Sequence, residues 1–390
     1  MKILDLGAQP VSNRFIKEGD RSAIPEYPLG LIMDEDSGII RLDPAMPFEE
    51  LRPRVPWIKA FEPEDHLDDL VSRLLQLPGI TKSSTFFGYS FKDESTLRRI
   101  SSLGYEKIWQ IDPRVDLHVF EENAGIETYQ AMLNLEAGIR IREKYGAPDV
   151  LILRHVIEHS FSLDKFLEFI KAVVNTNGYL VIELPDCTKP LQGGDCTMIW
   201  EEHLFYFTKN SFENLLITNG FEIVDFYEVE YPLENCMIAI VKNIEHKESH
   251  KNIFKSELGL ANNYRNLFLE RKDVIRELFE KIANKGLRVA AFGAGHYTIA
   301  FLAYMDLARH ISFVIDDDLN KIGYRLPLKS NILINTSELL NKDNIDLCLL
   351  GLNPAHHEKV IKKHEKFSNE GGRFASIFPN SSLDILSLDL

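Results

Sequence analysis

"DVLILRHVIEHSFSLDKFLEFIKAVVNTNGYLVIELPD", Asp149 to Asp186, sets an apolar run, a helix-period stretch and a second apolar run in succession. "VLIL" is unbroken by polar residues, as suits a strand covered on both faces of a parallel sheet. "SLDKFLEFIKAVVNT" repeats its apolar residues at three- and four-residue spacing, the pattern of an amphipathic helix. Asn177-Gly178 then turns the chain into "YLVIELPD". Strand, helix, strand makes a βαβ unit, and such units carry their ligands at the carboxyl ends of the strands. Arg154, His155, Glu158 and His159 stand at such an end.

The alternation continues on both sides. Upstream lie "STFFGYS", the helix "ESTLRRISSLG", the strand "KIWQID" and a stretch around "ETYQAMLNLEAGIRIREKYG"; downstream, the helix "KNSFENLLITNG" precedes "EIVDFYEVEY" and "CMIAIVK", a closing strand pair. Residues 1–60, rich in proline and short extended pieces, predict a small irregular β lobe, and residues 61–245 a doubly wound domain. "NIEHKESHKN" reads as a linker into a long helix, assigned to 246–282, and a second βα alternation fills 283–390.

With 390 residues, 45% of them apolar and 26% charged, the chain has the composition of a globular protein of two or three domains. A net charge of −15 argues against a nucleic-acid backbone binder. Four separated cysteines form no C-x-x-C pair, and no run has the length of a membrane span. A cytoplasmic protein with no membrane partner is expected; nothing in the residues sets an oligomeric state.

Motifs over nearly the whole chain resemble the sugar C-methyltransferases, which use S-adenosylmethionine (SAM) to methylate a carbon of a nucleotide-linked keto-sugar. They are "LDLGAQPVSNRF", "YPLGLIMDEDSGIIRL", "RHVIEHSFSLDKFLEFI", "VIELPD", "WEEHLFYFT", "RVAAFGAG" and "FVIDDDLNKIGYRLP". The resemblance implies an α/β fold: a class I methyltransferase Rossmann-like domain with a small amino-terminal β lobe and a second, Rossmann-like carboxyl-terminal domain for substrate. It implies SAM as cofactor and a nucleotide-sugar as partner. A methyltransferase homologue that binds the sugar without methylating it, or one that methylates O or N, is the alternative.

Two departures stand out. The family's amino-terminal lobe carries two zinc-binding C-x-x-C pairs; here the first would precede residue 1 and the second falls on Asp34 and Ser37, so no metal is expected. The family's glycine-rich SAM turn is reduced in "FFGYSFKDESTL" to Gly88. Tyr89, Phe91 and Lys92 are available to wall the pocket instead.

Candidate cofactor contacts are Gly88, Ser90, Asp112, Arg154, His155, Glu158 and His159, with Asp112 placed to accept ribose hydroxyls at the end of "KIWQID". His155, Glu158 and His159 also reproduce the H-x-x-E-H spacing of a metallopeptidase class, but that motif belongs on a helix with a further ligand, and none stands out. "WEEHLFYF" matches the family's segment of tyrosine, any residue, glutamate and histidine, with Trp200 at the tyrosine position. The resemblance makes His203 the candidate base, oriented by Glu202, with Tyr206 as donor to a substrate oxygen. Trp200, Gly293, Gly295, His296 and Asn353 are the candidate substrate contacts. The plain alternative is that these residues are satisfied turns and caps.

Overall fold

The computed structural model describes residues 1–58, 62–244 and 253–388. Most of the expected linker, residues 245–252, lies outside the described residues.

The stretch from Asp149 to Asp186 forms the centre of a six-stranded sheet. Its spatial order is Phe221–Val229, Asn235–Asn243, Tyr179–Asp186, Val150–Arg154, Phe86–Gly88 and Ile108–Gln110. The last four strands run parallel, while Asn235–Asn243 pairs antiparallel with both its neighbours. Alternate residues explain the unbroken apolar runs. Leu151, Leu153 and Ile182 pack with Phe166 and Phe169 on one face, whereas Val150, Ile152 and Val181 pack with Leu67, Leu70 and Leu74 on the other. Phe86–Gly88 has neighbours on both sides, one following it in sequence and one reached by crossover, so the sheet's switch point lies at Gly88.

A second sheet, all parallel, has the order Ile334–Thr336, Ile311–Asp316, Val289–Phe292, Leu347–Leu350, Arg373–Ser376. The helix Phe254–Asn284 precedes it and packs along the helix Thr188–Gly193 of the first domain.

The amino-terminal lobe is an antiparallel sheet of Lys2–Pro10, Glu26–Met33 and Ile40–Leu42, completed by Phe205–Tyr206 from the opening of "FYF". At the hairpin tip Asp34 Oδ1 accepts hydrogen bonds from Ser37 N at 2.8 Å and Ser37 Oγ at 2.9 Å. The two residues at the zinc-ligand positions thus close the turn on each other. A two-stranded bridge, Ile16–Lys17 with Tyr324–Arg325, joins the lobe to the carboxyl-terminal domain. Among the described residues no helix is long and apolar enough to cross a membrane.

Candidate active site

At the switch point a cleft of about 620 Å³ opens between Ser90 and Phe91 on one side and Ile111, Asp112, Val119 and Tyr129 on the other. Its mix of aromatic walls and a strand-end carboxylate fits the adenosine part of a nucleoside cofactor. Asp112 caps the helix Pro113–Asp116, its Oδ1 accepting from Arg114 N at 2.9 Å and Val115 N at 3.1 Å. Asp112 also lines the cleft.

The turn after Gly88 satisfies itself. Ser90 N donates to Asp93 Oδ2 at 2.7 Å, Lys92 N to Ser90 Oγ at 3.2 Å, and Arg154 N to Asp93 Oδ1 at 2.9 Å. Burial lifts the Asp93 carboxyl to about 7 against these donors. Gly88 serves packing: a Cβ there would lie 2.7 Å from Leu97 Cδ1.

Arg154 and His155 turn out to be parts of a buried charge network. Arg154 grips Glu183 with two bonds, Nε to Oε2 at 2.6 Å and Nη2 to Oε1 at 3.0 Å, and also donates to Lys92 O at 2.7 Å. With its nitrogens so engaged, the guanidinium is a strut rather than a cofactor contact. His155, at φ +49°, sits 3.0 Å from Glu183 Oε1 and 3.7 Å from Glu62 Oε2. Burial alone would lower its pKa, but Glu62, Glu158 and Glu183 hold it well above the ordinary histidine value, as an imidazolium. A left-handed backbone is costly for a non-glycine residue, and its presence at a ligand-facing strand end fits a constrained site.

His159 and His203 meet edge to face, centroids 4.7 Å apart. His159 Nδ1 is 2.7 Å from Glu127 Oε1, a partner that the sequence reading missed because a glutamate early in a predicted helix looks like a solvated one. Burial, His159 and Lys92 push His203 well below the usual histidine pKa, so it stands as a neutral imidazole. It lines a narrow cleft with Trp200, Asp195, Glu234 and Tyr297, at the boundary of the two Rossmann-like domains. Glu158, His159 and His203 each bring one ligand atom within 4.8 Å of the others. A second such group, His66, Glu183 and Cys236, is already committed to Arg154 through its carboxylate.

Several expected roles change. Glu202 takes a hydrogen bond from Asn13 Nδ2 at 2.8 Å rather than orienting His203. Tyr206 cannot serve a substrate oxygen: its hydroxyl accepts from Trp200 N at 3.0 Å and donates to Trp200 O at 3.1 Å, fully buried within its own loop. His296 is likewise internal. Its Nε2 meets Thr197 O at 3.0 Å and its Nδ1 meets Ser12 Oγ at 3.2 Å, which in turn is bound to Glu201. Gly293, at φ +100°, lets two strand ends approach, since a Cβ there would stand 3.0 Å from Gly351 O. Asn353 Oδ1 caps a short turn by accepting from Ala355 N at 3.0 Å. Gly295 caps the helix His296–Tyr304, with open space where its Cβ would be. Trp200 alone of the substrate candidates reaches the narrow cleft, where Tyr297 joins it.

Against known proteins, a family model described as a methyltransferase domain matches residues 57–225, and one described as the C-methyltransferase C-terminal domain matches residues 234–379. The chain is a SAM-dependent methyltransferase, and carbon is the class of acceptor that these matches support. It is similar to the C-methyltransferase NovU of Streptomyces niveus, 24% identical over 325 residues, 80% of this chain and 77% of that protein. Among solved structures, the 1,6-didemethyltoxoflavin-N1-methyltransferase of Burkholderia thailandensis with bound S-adenosylhomocysteine is 11% identical over 47% of this chain and 80% of that chain, at a TM-score of 0.31. A putative SAM-dependent methyltransferase of Listeria monocytogenes is 12% identical over 46% and 98%, also at 0.31.

Proposed function

We propose that the protein methylates a carbon of a nucleotide-linked 4-keto-deoxysugar through an enolate, making a branched sugar of the kind built into bacterial surface polysaccharides or glycosylated natural products. The observation that carries this reading is the neutral, part-buried His203 at the mouth between the two Rossmann-like domains.

Carbon methylation beside a ketone needs an α-proton removed while the oxygen is stabilised. His203 is deprotonated at neutral pH and takes that proton. The Trp200 indole N–H and the Tyr297 hydroxyl, both on the same narrow cleft, supply hydrogen bonds to the developing oxyanion in place of Tyr206. Glu127, 2.7 Å from His159 Nδ1, holds the ring that packs edge to face on His203. Bound SAM supplies the electrophilic methyl group.

The test uses a nucleoside-diphosphate 4-keto-6-deoxyhexose in deuterated water with S-adenosylhomocysteine. Exchange of the α-hydrogen that depends on His203, together with a methylated product when SAM is supplied, is expected. Methyl transfer to an oxygen or nitrogen, with no exchange, would overturn the reading.

A further inference from the structure

In glycine-rich SAM turns, bare backbone N–H groups face the cofactor's amino-acid end. Here that resource is spent. The N–H groups of Tyr89, Ser90, Lys92 and Asp93 are bound to Ile152 O, Asp93 Oδ2, Ser90 Oγ and Ser90 O. The amino-acid arm of SAM, with a carboxylate and an ammonium, still needs partners, because leaving either buried without one is costly.

Lys92 follows directly on Ser90 and Phe91, which wall the adenosine cleft, and it acts electrostatically on His203. Both the residues that precede it and the base it influences thus belong to the candidate site. The side chain is 8% exposed, and Nζ is 2.8 Å from Glu62 Oε1. The nearby Arg154 is fully engaged with Glu183 and the Lys92 carbonyl, so it offers no alternative. Glu158, 2% exposed, has two carboxylate oxygens with no hydrogen-bond partner among the described residues, and His155 Nδ1 stands 3.4 Å from its Oε1.

We propose that Lys92 receives the carboxylate, and Glu158 the ammonium, of the amino-acid arm of the methyl donor, replacing the glycine-rich turn of related proteins. Glu62 holds the Lys92 ammonium in the unliganded site and gives up that contact to the incoming carboxylate. The Lys92 ammonium exchanges one carboxylate for another and is never left alone, while Glu62 keeps His155 Nδ1 at 3.7 Å. Lys92 stays protonated throughout, since Glu62 and Glu158 raise its pKa although burial opposes them. The proposal holds whatever the acceptor is.

The test compares two ligands by calorimetric titration: S-adenosylhomocysteine, which has the arm, and 5′-methylthioadenosine, which lacks it. Lys92→Met should weaken S-adenosylhomocysteine about 10-fold or more and leave 5′-methylthioadenosine unchanged, with Lys92→Arg recovering part of the loss. Glu158→Gln should show the same selectivity. If Lys92→Met misfolds through the stranded Glu62, the double variant Lys92→Met/Glu62→Gln carries no unpaired charge and allows the same comparison. Equal losses for both ligands, or no loss for either, would overturn the assignment.

Discussion

The indole of Trp200 lies face to face with the imidazole of His296, ring centroids 4.5 Å apart and planes 16° from parallel. The same indole covers His203 at 5.1 Å. One side chain thus ties the candidate base to the first turn of a helix in the other Rossmann-like domain. Trp200→Phe keeps an aromatic face and loses the N–H, so the melting temperature should stay near the parent value while methyl transfer falls about 10-fold, the worth of one hydrogen bond in the transition state. Trp200→Ala should lower both. Thermal melts with single-turnover rates separate the two effects.

His203→Asn should retain S-adenosylhomocysteine binding and lose methyl transfer by about 10²-fold or more. Because burial and the neighbouring His159 and Lys92 depress the pKa of His203, the base form persists through the neutral range. The pH profile of kcat should therefore be flat down past 6.5 and fall only below it. An acid limb at or above 6.5 would assign the base elsewhere.

Asp112 has two duties, capping a helix and facing the cofactor cleft. Asp112→Ala should cost about 0.5–2 kcal/mol of stability through the lost cap, and about 1.5–3 kcal/mol of cofactor affinity. Asp112→Ser restores most of the cap and not the affinity. Chemical denaturation beside calorimetry distinguishes them.

Burial raises the Glu201 carboxyl to about 7, against the opposing donors of Ser12. A carboxyl with a folded-state pKa above its unfolded value favours the folded state fully below about 4.5, and this contribution disappears as pH rises through about 7. Melting temperature should accordingly fall between pH 5 and 8. Glu201→Gln, which cannot ionise, should flatten that fall, by on the order of 3 kcal/mol at most.

The amino-terminal lobe should need no metal: Asp34 and Ser37 are bonded to each other, and Leu29, Leu31, Ile40 and Leu42 give it a buried core. Chelator treatment should leave its melting temperature unchanged. Stoichiometric zinc in metal analysis of tag-free protein would contradict this.

The alternation of strand and helix was legible because both faces of "VLIL" and "YLVIEL" are covered, and covered strands must be apolar throughout. The strand ends where the candidate site is placed were legible too, since they follow from strand positions. Individual roles were not. Glu127 gave no local signal and Lys92 read only as a pocket wall, because their partners His159 and Glu62 lie about thirty residues away in the chain. Tyr206 and His296 looked available for the same reason: the backbone oxygens of Trp200 and Thr197 that occupy them are set by a loop's path. Residue type and periodicity, which report hydrophobic burial, determined the layered architecture. Hydrogen bonding and ion pairing act over about 3 Å and depend on which segments meet, so only the tertiary structure decided which polar groups remain free to do chemistry.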